Sequence, residues 1–287
     1  MSVRISDLLK RGAAAACLAV ATATAVCAQI PARVVSINLC TDQLAMLLAA
    51  PGQLVSVSRI ALDPRVSAMA EQAEDYQINA GRAEEVHVMR PDVVLAGMYS
   101  SRETVALLRR LGIEVVQFDI VKSLDDVPRH LAEMGTALGR EARAAQMISE
   151  FESGLAALRS DLEAVQQDRP RAALYYANGY TSGDQSLAGE ILAAAGLRNA
   201  PAEAGYEWGI LPLEMLAMIN PDMTITARRY PGGSRAEEIM DHPVIEGLRG
   251  QVGRTALTDQ DWVCGTPFVL RAISDMAAAR RALGADG

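Results

Sequence analysis

Apolar and polar positions fall into blocks along this chain, and the period changes from block to block. Residues 33–38, Arg-Val-Val-Ser-Ile-Asn, open with a short β-branched run that predicts a buried strand. Leu39-Cys40-Thr41-Asp42 turns into a helix whose apolar positions are Leu44, Leu47 and Leu48, with Thr41 or Asp42 as the capping oxygen. Residues 53–58 alternate like a second strand. Residues 103–111 have helical spacing and stop at Gly112, and 114–118 form a further strand. Between residues 140 and 167, Met147, Phe151, Leu155, Leu158, Leu162 and Val165 make one apolar stripe on a helix of about 40 Å. Asp168-Arg169-Pro170 ends it. Strand and helix then alternate again. A strand spans 171–176, a loop 179–183, a helix 187–195 closed by Gly196, and a strand 223–226. Loops at 228–233 and 261–267 precede a last helix over 269–283.

One segment of this pattern occurs twice. Glu84-Glu-Val-His-Val-Met-Arg-Pro91-Asp92 leads into Val93-Val-Leu95, and Glu214-Met-Leu-Ala-Met-Ile-Asn-Pro221-Asp222 leads into Met223-Thr-Ile225. Each copy is a short helix that opens with glutamate, breaks at Pro-Asp and continues as a strand. Proline ends the helix and biases the residue before it toward extended geometry. Two copies about 130 residues apart predict two lobes of similar build. The alternation of strand and helix predicts an α/β fold with parallel sheets covered on both faces. The boundaries expected are 1–28 for a signal peptide, 29–139 for the first lobe, 140–168 for a connecting helix and 169–287 for the second lobe.

The leader follows from Arg4, Lys10 and Arg11, then an apolar stretch over 12–26 too short to span a membrane. Val26-Cys27-Ala28 places small residues for cleavage after Ala28, which makes the mature protein periplasmic. The competing reading acylates Cys27, against which Val26 is bulkier than the residue usual there. The formal charge is −8 and becomes about −10 after cleavage, which leaves no footing for nucleic acid. Half the residues are apolar and only 4% aromatic, so an aromatic side chain in a loop is informative. Cys40 and Cys264 are the cysteines left. In an oxidising compartment they form a disulfide worth on the order of 5 kcal/mol; the alternative is a free Cys40 thiol beside a ligand.

The chain carries no recognisable catalytic constellation. His87, His130 and His242 lie at no metal-ligand spacing, and no Cys/His cluster holds a structural metal. Ser182 in Gly-Tyr-Thr-Ser-Gly is not a nucleophile elbow, and no phosphate loop is present. Each histidine reads as a solvated or core side chain. Tyr99, Tyr180, Trp208, Tyr230 and Trp262 fall in loops or at element ends, where open parallel sheets hold ligands. Taken singly, Trp208 or Trp262 could equally plug the end of a lobe.

The opening strand, the paired Glu-x6-Pro-Asp segments, the long middle helix and Tyr180-Thr181-Ser182-Gly183 together resemble one family. It is that of the periplasmic binding proteins of ABC importers for ferric siderophores, haem and cobalamin. The resemblance covers the mature chain. It implies two Rossmann-like lobes joined by a long rigid α-helix, a shallow cleft, no catalytic step and no intrinsic cofactor, in a monomer. It also implies an importer permease and ATPase as partners, with Glu84 and Glu214 meeting arginines of the permease. Otherwise those glutamates are ordinary helix-start carboxylates. The bound ligand would be a metal chelate. Tyr180 before Thr-Ser-Gly, Trp208 six residues before Glu214, and Trp262 before the final helix resemble the cobalamin binders and favour a corrinoid. A ferric siderophore would instead use Arg59, Arg228 and Arg229, and haem would use Tyr230. The Asn38-to-Asp42 turn departs from the family's Ser-Pro-rich turn. A Cys40–Cys264 bond there would join the lobes and restrict opening. A secreted enzyme or metallochaperone on the same fold, and a surface receptor tethered at Cys27, are the rival readings.

Overall fold

Five parallel strands carry the first lobe. They are β1 (Val34–Ser36), β2 (Leu54–Ser58), β3 (Gln77–Asn79), β4 (Val93–Gly97) and β5 (Glu114–Phe118), in the order β3-β2-β1-β4-β5. Around them lie α1 (Leu39–Leu48), the single turn α2 (Ala70–Ala73), α3 (Ala83–Val88), α4 (Arg102–Arg110) and α5 (Asp126–Leu138). Every residue of β1 and β4 is buried, as a sheet covered on both faces requires. Val34 and Leu95 point into one apolar cluster with α1 and α5, while Val35, Val94 and Ala96 point into another with α3 and α4. The computed structural model describes residues 30–163, 169–227, 232–252, 255–258 and 260–284. The expected leader with Cys27 and Ala28, and also Val165, Arg228, Arg229 and Tyr230, lie outside the described residues.

In the second lobe β6 (Arg171–Leu174), β8 (Arg198–Asn199), β10 (Met223–Ala227) and β11 (Thr255–Thr258) form a parallel sheet ordered β11-β10-β6-β8. A separate antiparallel ribbon pairs β7 (Tyr180–Ser182) with β9 (Trp208–Ile210). The helices are α7 (Leu187–Ala194), α8 (Ala200–Glu203), α9 (Leu213–Ile219), α10 (Pro243–Val252) and α11 (Val269–Gly284). Between the lobes runs α6 (Glu141–Glu163), 23 residues and about 34 Å long. Of its predicted stripe, Met147, Phe151, Leu155 and Leu162 are buried and Leu158 is half-buried. One continuous apolar cluster extends from α1 and α5 through α6 to β6, β10, α7 and α11, so the lobes share a core. Among the described residues no helix is long and apolar enough to cross a membrane.

The repeated segment builds the same joint in each lobe. Arg90 (φ 48°) and Asn220 (φ 44°) end α3 and α9 in the left-handed conformation, just before Pro91 and Pro221. Asp92 Oδ2 accepts the backbone N–H groups of Ala32 and Arg33 at 2.8 Å, and Asp222 Oδ2 accepts that of Arg171 at 2.7 Å. The Arg33 guanidinium donates to Met89 O at 2.8 Å, and that of Arg171 to Ile219 O at 2.9 Å. Each Pro-Asp thus clamps the start of its own strand to the start of the lobe's first strand.

Several elements differ from the sequence expectation. The cap of α1 is Asn38, whose Oδ1 accepts from Cys40 N at 3.0 Å and Thr41 N at 3.4 Å, rather than Thr41 or Asp42. Residues 126–138 form α5, which the apolar pattern left unassigned because Pro128 interrupts it; in a first helical turn proline removes no needed donor. The loop expected over 179–183 contains β7. The loop expected over 261–267 begins with a 3-10 turn, Gln260–Trp262.

Candidate functional site

Parallel strands deliver their following loops to one edge, and in this protein the two edges meet. Cys40, at the end of β1 and the start of α1, is bonded to Cys264, which follows β11, with the Cα atoms 5.2 Å apart. This decides for the disulfide over the free thiol and ties the two lobes at their strand ends. Two further contacts accompany it. Glu190 Oε2 on α7 accepts Leu124 N at 2.6 Å. Gly265 lies so close to Val121 that an added Cβ would sit 2.2 Å from its side chain, so only glycine fits. The Cys264 loop is anchored from below. Buried Asp261 accepts from Arg271 Nε at 2.8 Å and Nη2 at 2.5 Å, and that guanidinium stacks 4.3 Å over Phe268.

Beside the disulfide is a cavity of about 270 Å³. Its walls are the ends of β1, β4 and β5 (Asn38, Gly97, Met98, Tyr99, Phe118 to Val121), with Val263 and Gly265 from the other lobe. His130 of α5 also lines it, its ring edge-on to Phe118 at 5.9 Å. Gly97 leaves room for Asn38, whose amide a Cβ at 97 would meet at 2.7 Å. Burial holds the His130 imidazole below its ordinary range. Nearby, Asp42 is fully buried. It accepts from Ser58 N at 3.1 Å and from Ser58 Oγ, and burial pushes its carboxyl up to about 6. No group of three or more His, Cys, Asp or Glu among the described residues could hold a metal ion.

The second lobe contributes the β7–β9 ribbon. Tyr176 N donates to Tyr180 O, so the ribbon turns back at the end of β6, on the same edge as the disulfide. Tyr180 pairs with Ile210 and Ser182 with Trp208, which puts these four residues on one face. On the other face Thr181 Oγ1 is buried and donates to Leu174 O at 2.7 Å. The outer face is a bare apolar platform, with Trp208 79% exposed and Ile210 67%.

The residues singled out from sequence therefore separate. Tyr99, exposed at the mouth of the cavity, and Tyr180 and Trp208, on the ribbon, lie at the strand-end edges. Trp262 does not match the expectation of a cleft wall. Only 9% of it is exposed, and it packs in the shared core, because the 3-10 turn after β11 directs it inward. Arg59 is exposed just after β2 and does not line the cavity. Glu84 and Glu214 are exposed second residues of α3 and α9, at equivalent positions. Sequence reasoning missed the aliphatic partners Ile60, Met98, Ile120, Ile210 and Val263, all exposed at the same edges. The alternation Trp208-Gly209-Ile210 was the one signal that could have found Ile210. It also missed Val88 and Met218, 78% and 77% exposed one turn after each repeat glutamate.

The arrangement agrees with comparisons to known proteins. Residues 34–250 match the family described as periplasmic binding protein. A cobalamin-binding protein of Halobacterium salinarum is 29% identical over 198 residues, 68% of this chain and 54% of that protein. The vitamin B12-binding protein of Pectobacterium carotovorum is 24% identical over 200 residues, 68% of this chain and 71% of its own. The chain thus spans about half the length of the first of these relatives. Among solved structures, a periplasmic heme-binding protein of Roseiflexus sp. RS-1 superposes with TM-score 0.73 at 22% identity, covering 88% of this chain and 98% of its own. The periplasmic vitamin B12-binding protein of Vibrio cholerae gives 0.67 at 16% identity, covering 89% and 98%. These superpositions speak for the fold alone. With a family match over most of its length and two lobes on one connecting helix, the chain belongs to the periplasmic binding proteins, a non-catalytic solute-binding family, as a helix-linked member.

Proposed function

We propose that this protein captures a metal chelate between its lobes in the periplasm and delivers it to an ABC importer, and that the chelate is a corrinoid. The observation that carries the reading is where apolar surface is left bare. Eight of the twelve exposed large hydrophobic residues among those described follow a strand end of the first lobe, sit on the β7–β9 ribbon or adjoin the disulfide. Bare aromatic and aliphatic surface at the carboxyl ends of parallel strands is where such folds hold ligands. A broad, largely neutral macrocycle suits Tyr99 on one side and Tyr180, Trp208 and Ile210 on the other. Relatives named as cobalamin-binding support the corrinoid. On this reading residues 1–28 are the export leader, 29–139 and 169–287 the lobes, and 140–168 the strut.

Glu84 and Glu214 are proposed to dock the two lobes on the importer's permease. The support is their equivalence in the repeat, and Val88 and Met218 give each carboxylate the same bare apolar neighbour. A charged group beside an exposed apolar one is the composition of a protein contact. Haem is the second reading, favoured by the likeness to heme-binding structures.

The test is a titration of the oxidised protein with cyanocobalamin, followed by tryptophan fluorescence. The chain has two tryptophans, one exposed and one buried, so saturable quenching should be lost in Trp208→Ala and kept in Trp262→Phe. An unresponsive protein that gives a Soret shift with hemin would replace the corrinoid by haem.

A further inference from the structure

The two Glu-x6-Pro-Asp segments share one backbone and differ in surface. Glu84 and Glu214, Pro91 and Pro221, and Asp92 and Asp222 are each 130 residues apart, so every position of 82–90 has a counterpart in 212–220. Core-facing positions match in kind. Ala83, Val86 and Met89 pack into the first lobe, and Leu213, Leu216 and Ile219 into the second. Folding demands apolar side chains there and demands little of the outward positions. At those the copies part. Arg82, two residues before Glu84, stands where the second copy has Pro212, and all four of these residues are exposed. His87 and Ala217 follow the glutamate by three residues, and Val88 and Met218 by four, so each shares its face of the helix. The first face is thus Arg, Glu, His and Val, and the second is Pro, Glu, Ala and Met, all exposed. Half-buried Glu85 has half-buried Met215 as its counterpart.

Glu214 is the one charged residue of its segment. Arg171, whose guanidinium donates to Ile219 O, is itself paired with Glu203. A partner closing over Pro212, Ala217 and Met218 strips water from apolar surface and leaves one carboxylate to be answered. That carboxylate calls for a cation from the partner, and the apolar rim then shields the pair from water. Glu84 has charged neighbours of both signs on its own segment, so a partner there meets a hydrated patch in which each pair is screened. We infer that the two lobes dock by different chemistry. The second lobe takes an apolar partner patch bearing a single arginine or lysine, which anchors the complex. The first takes a patch of mixed charge, with an acidic group for Arg82, which steers it. The inference rests on the reading that Glu84 and Glu214 meet the importer's permease, and adds which rate each lobe governs: association for the first, dissociation for the second.

The test is the binding kinetics of the oxidised mature protein on the importer that takes up its chelate, permease and ATPase together in lipid nanodiscs, over a range of salt concentrations. Glu214→Ala should speed dissociation at least about thirtyfold and Met218→Ser about tenfold, with association within about threefold of the parent. Glu84→Ala and Arg82→Gln should instead slow association several-fold at low salt, with dissociation within about threefold, and the effect should fade by about 0.5 M salt. Val88→Ser should change neither rate by more than about threefold. All five positions are exposed, so melting temperatures should stay within about 2 °C of the parent. Glu84→Gln and Glu214→Gln, which keep the side-chain shape and lose only the charge, repeat the comparison. Equal changes in the same rate constant for the two glutamate variants, or a salt dependence that resides in Glu214 and not in Glu84, overturn the inference and leave the docking reading in place. A Glu84→Ala/Glu214→Ala variant that docks like the parent overturns the docking reading itself and the inference with it.

Discussion

Breaking the Cys40–Cys264 bond should separate two quantities, stability and ligand retention. The bond closes a loop with a sequence separation of 224 residues. In the chain-entropy description such a loop removes about 5 kcal/mol of freedom from the unfolded chain. At about 2–4 °C per kcal/mol for a chain of this size, the Cys40→Ser/Cys264→Ser variant should melt about 10–20 °C lower. It should still fold, because α6 and the apolar cluster on either side of it already join the lobes. What it loses in the folded state is local. The disulfide and the Gly265–Val121 contact hold the strand-end edges together beside the cavity, and the Glu190–Leu124 hydrogen bond joins the lobes away from it. With the first of these gone, the edges part more readily and bound chelate should dissociate faster, with association little changed. Calorimetry of the oxidised protein, the reduced protein and the serine variant gives the first quantity, and stopped-flow displacement of cyanocobalamin the second. A serine variant that melts within about 2 °C of the parent would refute the entropic argument. An unchanged dissociation rate would refute the claim that the bond restrains the cleft.

Three other outcomes are expected. The Asp42 carboxyl keeps its proton up to about pH 6 when folded and releases it near 3.8 when unfolded, so stability falls as pH rises between those values and is level above. Asp42→Asn should therefore flatten the pH profile of urea unfolding and gain up to about 3 kcal/mol at neutral pH. Gly265→Ala drives a methyl into Val121, which should lower the melting temperature by several degrees, about 1–3 kcal/mol, and weaken chelate binding; an unchanged melt would show that the loop yields. Glu84→Ala with Glu214→Ala should leave cyanocobalamin affinity unchanged and abolish importer-dependent uptake, and uptake at the parental rate would remove the docking role.

How much was legible in the chain depended on whether one residue or many did the work. The Pro-Asp joint was visible because it is local: a proline stops the helix, and the next side chain caps the neighbouring strand with its own oxygens. The strut was visible because an apolar period held over many turns arises from little besides a helix with one buried face. The β7–β9 ribbon was not, since each strand is three residues long and its partner lies in a different part of the chain. Trp208 and Trp262 looked alike, both aromatic and both in loops; one is bare and the other is core, and only the turns around them distinguish the two. In a chain half apolar, Ile60, Ile120 and Val263 carried no mark at all. Their significance is positional: a core residue and a ligand-facing residue share a chemistry, and which one a side chain becomes is decided by whether its strand has already ended. His130 is the converse case. As a residue type it suggested nothing beyond a core or solvated side chain, and only the fold shows its ring buried edge-on against Phe118 in the cavity wall. Sequence finds groups whose task is completed by near neighbours in the chain, whereas a role set by contacts across the fold shows only once the fold is in place.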